Sequence, residues 1–391
     1  MPLPALWPAA LPDRAIGLYV HWPFCQAKCP YCDFNSHVWD RVDQQRWALA
    51  YLSEIKRVSA LAPAALLRSV YFGGGTPSLM PPDTVAQIVD AARAAWPTAN
   101  DVEITLEANP TSTELDRFRA FRAAGVNRVS VGVQALNDAD LRRLGRLHSA
   151  AEARTAFDIA ARVFDRASFD LIYARQDQTL DAWRAELAEA LSMGPSHLSL
   201  YQLTIEPGTA FGHRHARGGL RGLPGEDLGA DLFDLTQDLC NAAGLPAYEV
   251  SNHARPGAES IHNLIYWQGG AYAAVGPGAH GRLADQNGWT ATEALSDPRA
   301  WLNAVTAGTG QESTRRLPGP ERAGEYLMMS LRLSEGMDRA RHAAMGGAAL
   351  NPEALGDLSE LGLIRISATH IRATDHGRRV LNAVIRALLP D

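Results

Sequence analysis

The sequence predicts an α/β protein: a partial (β/α)6 barrel, then a mostly helical C-terminal domain that ends in a winged-helix-like unit. Three observations predict it. From residue 16 to about residue 204, short apolar, β-branched or aromatic runs alternate with amphipathic helical stretches, a pattern of parallel strands joined by crossover helices. There are six such units, too few for a full eightfold barrel. Beyond residue 291 the periodicity is largely helical until two short strand-like runs and a final helix.

The strand candidates, in order, are residues 16–22 (IGLYVHW), 69–75 (SVYFGGG), 101–109 (DVEITLEAN), 128–134 (RVSVGVQ), 168–174 (SFDLIYA) and 197–204 (HLSLYQLT). Helical segments fall between them at 41–60, 82–96, 111–124, 149–164 and 179–193. Glycines and polar residues recur at the strand ends, where barrels of this kind carry their chemistry. A looser region follows from 205 to 290, with a further strand candidate at AYEVSN. The expected division is a leader over 1–15, a barrel over 16–240, a linking region over 241–290 and a C-terminal domain over 291–391.

Composition narrows the class. The 391 residues are 46% hydrophobic and 20% charged, as in an ordinary globular protein. A net charge of -6 gives no global reason to expect nucleic-acid binding. Residues 313–391 hold eleven Arg and no Lys against nine Asp plus Glu, too balanced for a phosphate-binding face. The first residues are apolar but interrupted by prolines and lack a basic n-region, and no apolar window is long enough to span a bilayer. The expected compartment is the cytoplasm; peripheral membrane contact and a dimer stay open.

Three of the four cysteines, Cys25, Cys29 and Cys32, lie within eight residues directly after a strand candidate. Three thiolates can hold three irons of a cubane and leave the fourth without a protein ligand. The rival is zinc, which in a closed structural site takes four protein ligands; neither His21 nor His37 stands at a common zinc spacing. Cys240, in a helical run, reads as a small buried apolar residue.

C-x3-C-x2-C, with Tyr31 before the last Cys, resembles the signature of the radical S-adenosylmethionine (SAM) superfamily. The surrounding residues resemble the branch that contains oxygen-independent coproporphyrinogen III dehydrogenase and the HemW-like haem chaperones. The resemblance implies a radical SAM barrel with a [4Fe-4S] cluster on Cys25, Cys29 and Cys32, and SAM beside it. It assigns SAM contacts to Tyr19, Tyr31, Gly74, Gly75 and Thr76 of YFGGGTPS, Glu107 of LEANP, Gln134, Arg146, Asp170 and Thr204. Two departures stand out. Residues 174–177 read ARQD where the family has a GLPG-like turn, so the backbone is expected to turn by another route. Cys32-Asp33-Phe34 lacks the C-x-C of the dehydrogenases.

HNLIYW at 262–267 matches the HNxxYW element of HemW-like proteins. The match implies haem as a bound group and acceptor haemoproteins, respiratory ones among them, as partners. His262 is the candidate iron ligand, with His280 as an alternative, and Asn263, Tyr266 and Trp267 are candidate porphyrin contacts. The same residues also read as core aromatics and a hydrogen-bonded histidine. The alternative function is that of a coproporphyrinogen III dehydrogenase or another radical SAM enzyme.

Overall fold

The computed structural model describes residues 14–39, 41–112 and 114–389. The expected leader lies outside them but for its last two residues, and Ala15 already opens the first strand.

Six strands pair side by side and in parallel, in chain order: β1 (Ala15–Trp22), β2 (Leu66–Gly74), β3 (Thr98–Ala108), β4 (Arg128–Gln134), β5 (Arg166–Tyr173) and β6 (His197–Gln202). They are near-continuous apolar runs because both faces of a parallel sheet are covered. The crossover helices are α1 (Gln44–Ser59), α2 (Pro82–Ala95), α3 (Leu115–Ala123), α4 (Ala150–Val163) and α5 (Leu180–Ser192). Their starts are set locally. Asp43 accepts from the Arg46 amide, Thr179 from the Ala182 amide, and Ser149 with Glu152 forms a capping box. Helix α1 buries Trp47, Tyr51, Ile55 and Val58 along one stripe. Trp47 stacks on Trp301 at 5.3 Å in the main core.

The sheet continues past both edges of the barrel. After α6 (Glu226–Ala242), β7 (Asn252–Ala254) lies antiparallel to β6. The expected AYEVSN strand is instead a bend: the buried Glu249 carboxylate accepts from the Asn252 side chain and curls the chain back on itself. Helix α7 (Ile261–Trp267) follows. Then β8 (Ala271–Val275) pairs in parallel with β1, and β9 (His280–Asp285), β10 (Gly288–Ala294) and β11 (Gln311–Leu317) form an antiparallel meander. The described residues thus give an eleven-stranded sheet in the order β11-β10-β9-β8-β1-β2-β3-β4-β5-β6-β7.

The expected boundary at residue 291 falls inside β10, and Trp301 and Leu302 join the main core; from Gly319 on the chain is mostly helical with its own hydrophobic cluster, including Tyr326, Leu327, Leu358, Ile371 and Val384. Its small antiparallel sheet is built from β12 (Met337–Asp338), β13 (Ile364–Ile366) and β14 (His370–Ala373), with β14 in the middle. No helix among the described residues is long and apolar enough to cross a membrane.

Candidate functional site

The cysteine loop leaves the end of β1 and is held from several sides. Phe24 and Cys25 pair in parallel with His37 and Val38. The His21 ring donates from Nε2 to the Asn35 carbonyl at 2.9 Å, while Nδ1 takes the Tyr19 hydroxyl at 3.0 Å. The Asn35 amide donates to the carbonyls of Pro277 (3.0 Å) and Ser296 (2.8 Å), which ties the loop to the far edge of the sheet. Lys28 Nζ donates to the Ser36 carbonyl at 3.1 Å.

The three thiols line one cleft of about 420 Å³ at the C-terminal ends of β2 to β6. Thr76 Oγ1 donates to Cys25 Sγ at 3.5 Å and Arg146 Nη1 to Cys29 Sγ at 3.3 Å; hydrogen bonds of this kind favour thiolate. Burial nonetheless pushes the Cys25 thiol up, against the pull of Thr76. The described residues hold no group of three or more His, Cys, Asp or Glu spaced for a single metal ion. Thiolates of a cubane bind different irons and stand further apart than the ligands of one ion.

The strand ends supply the walls. A Cβ on Gly74 (φ +111°) would lie 2.6 Å from the His21 ring, and one on Gly75 would lie 2.7 Å from the Phe24 carbonyl and 3.0 Å from Cys25 Sγ. Only glycine lets β2 come this close to the cysteine loop. Glu107 accepts from Tyr71 Oη at 2.8 Å and from the Gly74 amide at 3.3 Å. Burial lifts it to about 7, against those two hydrogen bonds. Asp170 accepts from Ser130 Oγ at 2.9 Å and is likewise raised by burial. Arg146 also donates to the Gly132 carbonyl at 2.9 Å. Tyr31, Gln134 and Thr204 complete the wall.

The cleft therefore gathers the three cysteines with Tyr31, Gly74, Gly75, Thr76, Glu107, Gln134, Arg146, Asp170 and Thr204. Tyr19 is not among its lining residues: it sits below, in the barrel, near Tyr71 (ring centroids 6.3 Å). Tyr71 and Asn35, which no motif marks, also serve the site. The signal for Tyr71 was the alternation of β2, which turns Ser69, Tyr71 and Gly73 to one side.

The HNxxYW element lies elsewhere. Helix α7 packs on β1, β2 and β8 near their N-terminal ends, and closes the end of the barrel opposite the cleft. His262 is 2% exposed. Its Nδ1 is paired with Ser69 Oγ at 2.8 Å and its Nε2 with Tyr266 Oη at 2.9 Å, and the ring stacks on Tyr71 at 4.8 Å. Burial holds it neutral, down at about 3. The Glu103 carboxylate, ion-paired with Arg166 at 2.8 Å, accepts from Ser260 Oγ and from the amides of Ile261 and His262. Both ring nitrogens are thus engaged within the fold, and His262 would have to give up one of these hydrogen bonds to ligate iron. Asn263 donates to Tyr248 Oη at 3.4 Å, and Trp267 packs against the small core of Tyr248, Leu264 and Leu333. His280 is exposed, with its ring 3.7 Å from Glu293.

The ARQD segment also corrects expectation. Ala174 (φ +59°) and Asp177 (φ +58°) take the left-handed backbone that glycine ordinarily supplies. Buried Arg175 holds this turn, paired with Glu186 and with Asp140 at 2.9 Å.

A parallel barrel with a three-thiol loop at its C-terminal mouth defines the radical SAM class. Residues 19–189 match the Radical SAM superfamily and residues 317–380 match the HemN C-terminal domain. The fold is similar to that of Escherichia coli coproporphyrinogen III oxidase (HemN), described as a radical SAM enzyme, with a TM-score of 0.81 over 97% of this chain and 91% of that one at 21% identity. More specifically, the chain belongs to the HemW family. It is 36% identical to heme chaperone HemW of E. coli over 96% of this chain and 98% of that protein. It is 38% identical to the mouse mitochondrial radical S-adenosyl methionine domain-containing protein 1, over 98% of this chain and 89% of that protein.

Proposed function

We propose that this protein is a haem chaperone: it carries a [4Fe-4S] cluster and SAM, binds haem, and passes it to acceptor haemoproteins such as respiratory enzymes. The observation that carries the reading is end-to-end similarity to relatives named heme chaperones. Phe34, 58% exposed at the cleft, supports it, because it stands where the dehydrogenase pattern has its further cysteine.

The residues present fit the cofactors. Cys25, Cys29 and Cys32 would hold the cluster. Gln134 Oε1 and Arg146 Nε are buried with no partner among the described residues, and such atoms ordinarily find one. Arg146 suits the SAM carboxylate, Glu107 and Asp170 suit hydroxyls or an amino group, and the edge at Gly74, Gly75 and Thr76 gives backbone access. When bound, the pair supplies one-electron chemistry at an iron that lacks a protein ligand. The protein's own part is to orient SAM and to shield the thiols.

The test uses oxygen-free purified protein. Iron and sulfide analysis should give about four of each per chain, haemin titration should give a one-to-one Soret band, and loaded protein should restore activity to a haem-free respiratory enzyme. Absence of haemin binding, or turnover of coproporphyrinogen to protoporphyrinogen, defeats the reading.

A further inference from the structure

We propose that α6 and the C-terminal unit together hold a phosphate-bearing ligand, bound in the hollow between them by Arg365, Arg372 and Arg378. The inference stands apart from the haem-chaperone reading and from the thiol cleft.

The charge pattern comes first. Residues 313–391 are too balanced in charge for an extended phosphate-binding face, but the fold gathers three of their arginines in one place. Pairing of β13 with β14 sets Arg365 directly opposite Arg372. Like charges at such positions repel, and both side chains are exposed without an ion pair or hydrogen bond among the described residues. Arg378, half-buried, lines the same hollow. It donates to Ser334 Oγ at 3.0 Å and to the Glu249 carbonyl at 2.9 Å, both uncharged acceptors. Burial pulls it below the usual arginine value, as expected of a guanidinium with no carboxylate in direct contact.

The lining comes second. The hollow, of about 270 Å³, is also lined by Gln237 and Asn241, one turn apart on α6. Neither side-chain amide has a hydrogen-bond partner among the described residues, so each has its NH2 group to offer. Asp375 is the one carboxylate in the lining. Three guanidinium groups and two uncommitted amides against one carboxylate, in a chain of net charge -6, favour an anion. The donors come from two sides, the β13–β14 region and α6. A lone carboxylate has two oxygens in one plane and is satisfied by a single bidentate arginine, whereas the tetrahedral oxygens of a phosphate accept from several directions at once. The hollow is smaller than the roughly 300–1,000 Å³ of a pocket for a drug-sized molecule. The ligand is therefore inorganic phosphate, or the phosphate end of a molecule whose remainder reaches into solvent. Bound there, it links α6 to the C-terminal unit beside the Arg379–Asp234 ion pair, which already joins the two.

The test follows thermal unfolding of the full chain in chloride buffer at fixed ionic strength, titrated separately with inorganic phosphate, AMP and citrate. Phosphate and AMP should raise the midpoint along a saturable curve, half-maximal at about 1 mM or below. Equal effects of the two identify the phosphate alone as the ligand, and a tighter AMP curve identifies a larger molecule bound by its phosphate. Arg365→Gln with Arg372→Gln should weaken the effect about tenfold or more. Because it removes a like-charge pair, this double variant should unfold no earlier than wild type when no anion is added, which separates loss of binding from loss of fold. Asn241→Asp, which brings a second carboxylate to the hollow, should weaken phosphate in the same direction. Citrate that acts as well as phosphate would overturn the assignment to phosphate. A wild-type response that does not saturate, or that the double variant shares, would overturn the site.

Discussion

Replacing His262 by alanine separates a structural role from a ligand role. The substitution removes hydrogen bonds to Ser69 and Tyr266 (2.8 and 2.9 Å), each worth about 1 kcal/mol net. It removes a ring stacked on Tyr71 at 4.8 Å, worth about 0.5–1.5 kcal/mol. It also leaves a void in a site that is 2% exposed, at a further cost of about 1 kcal/mol. The sum is about 3–5 kcal/mol. Urea denaturation followed by tryptophan fluorescence should show a clearly lower midpoint. Haemin titration well below that midpoint should keep its wild-type stoichiometry and band. The pH dependence adds a second readout. The folded ring stays neutral down to about 3, against an ordinary value of 6.5. Its contribution to stability is therefore fully present above pH 6.5 and is lost as pH falls toward 3, by up to about 1.4 kcal/mol per unit. His262→Ala should flatten this acid limb, while His253, depressed in the same sense, retains its share. Loss of haemin binding with unchanged stability would refute the reasoning and restore the ring as a ligand.

Three further outcomes follow from the geometry. Glu103→Gln leaves Arg166 without its charge partner and weakens the hold on the start of α7; it should cost about 3 kcal/mol and bring earlier proteolytic cleavage around residues 255–268, and an unchanged digestion pattern would count against the plug. Gly75→Ala forces a Cβ to within 2.7 Å of the Phe24 carbonyl, so iron retained after anaerobic reconstitution should fall well below wild type with little change in circular dichroism; full iron content would show that the approach of β2 to the loop is dispensable. Glu107, lifted to about 7 from 4.5, binds a proton more readily in the folded state, so its contribution to stability is present below about pH 4.5 and is lost as pH rises to 7. Glu107→Gln should abolish this component of the pH profile, and identical profiles for the two proteins would argue against the raised value.

The barrel was legible because every unit repeats one contrast, an apolar run followed by an amphipathic stretch. The observed strands begin within about three residues of the expected ones. The cleft was legible for a related reason: glycines and polar residues closing an apolar run can only stand at a strand end. The far side of the sheet was harder to see. In β11, QESTRRL, five consecutive residues are exposed, and an edge strand of that kind shows no hydrophobic period. The role of HNxxYW was hidden because it depends on Ser69, Glu103 and Arg166, far away in the chain. A histidine beside aromatics looks the same on paper whether its nitrogens are free or taken. The facing pair Arg365 and Arg372 was invisible for the same reason, because only the strand register sets the two side by side.

The tie between Asn35 and Pro277 spans 242 residues, and β1, which leads into the cysteine loop, lies in the sheet between β2 and a strand made much later in synthesis. While the ribosome is still working, Cys25, Cys29 and Cys32 have emerged but their support has not. Contacts this distant form slowly. The brace on the thiol loop is complete only once Ser296 has been made, and a chain truncated before that point lacks both ties that Asn35 makes to the far edge of the sheet.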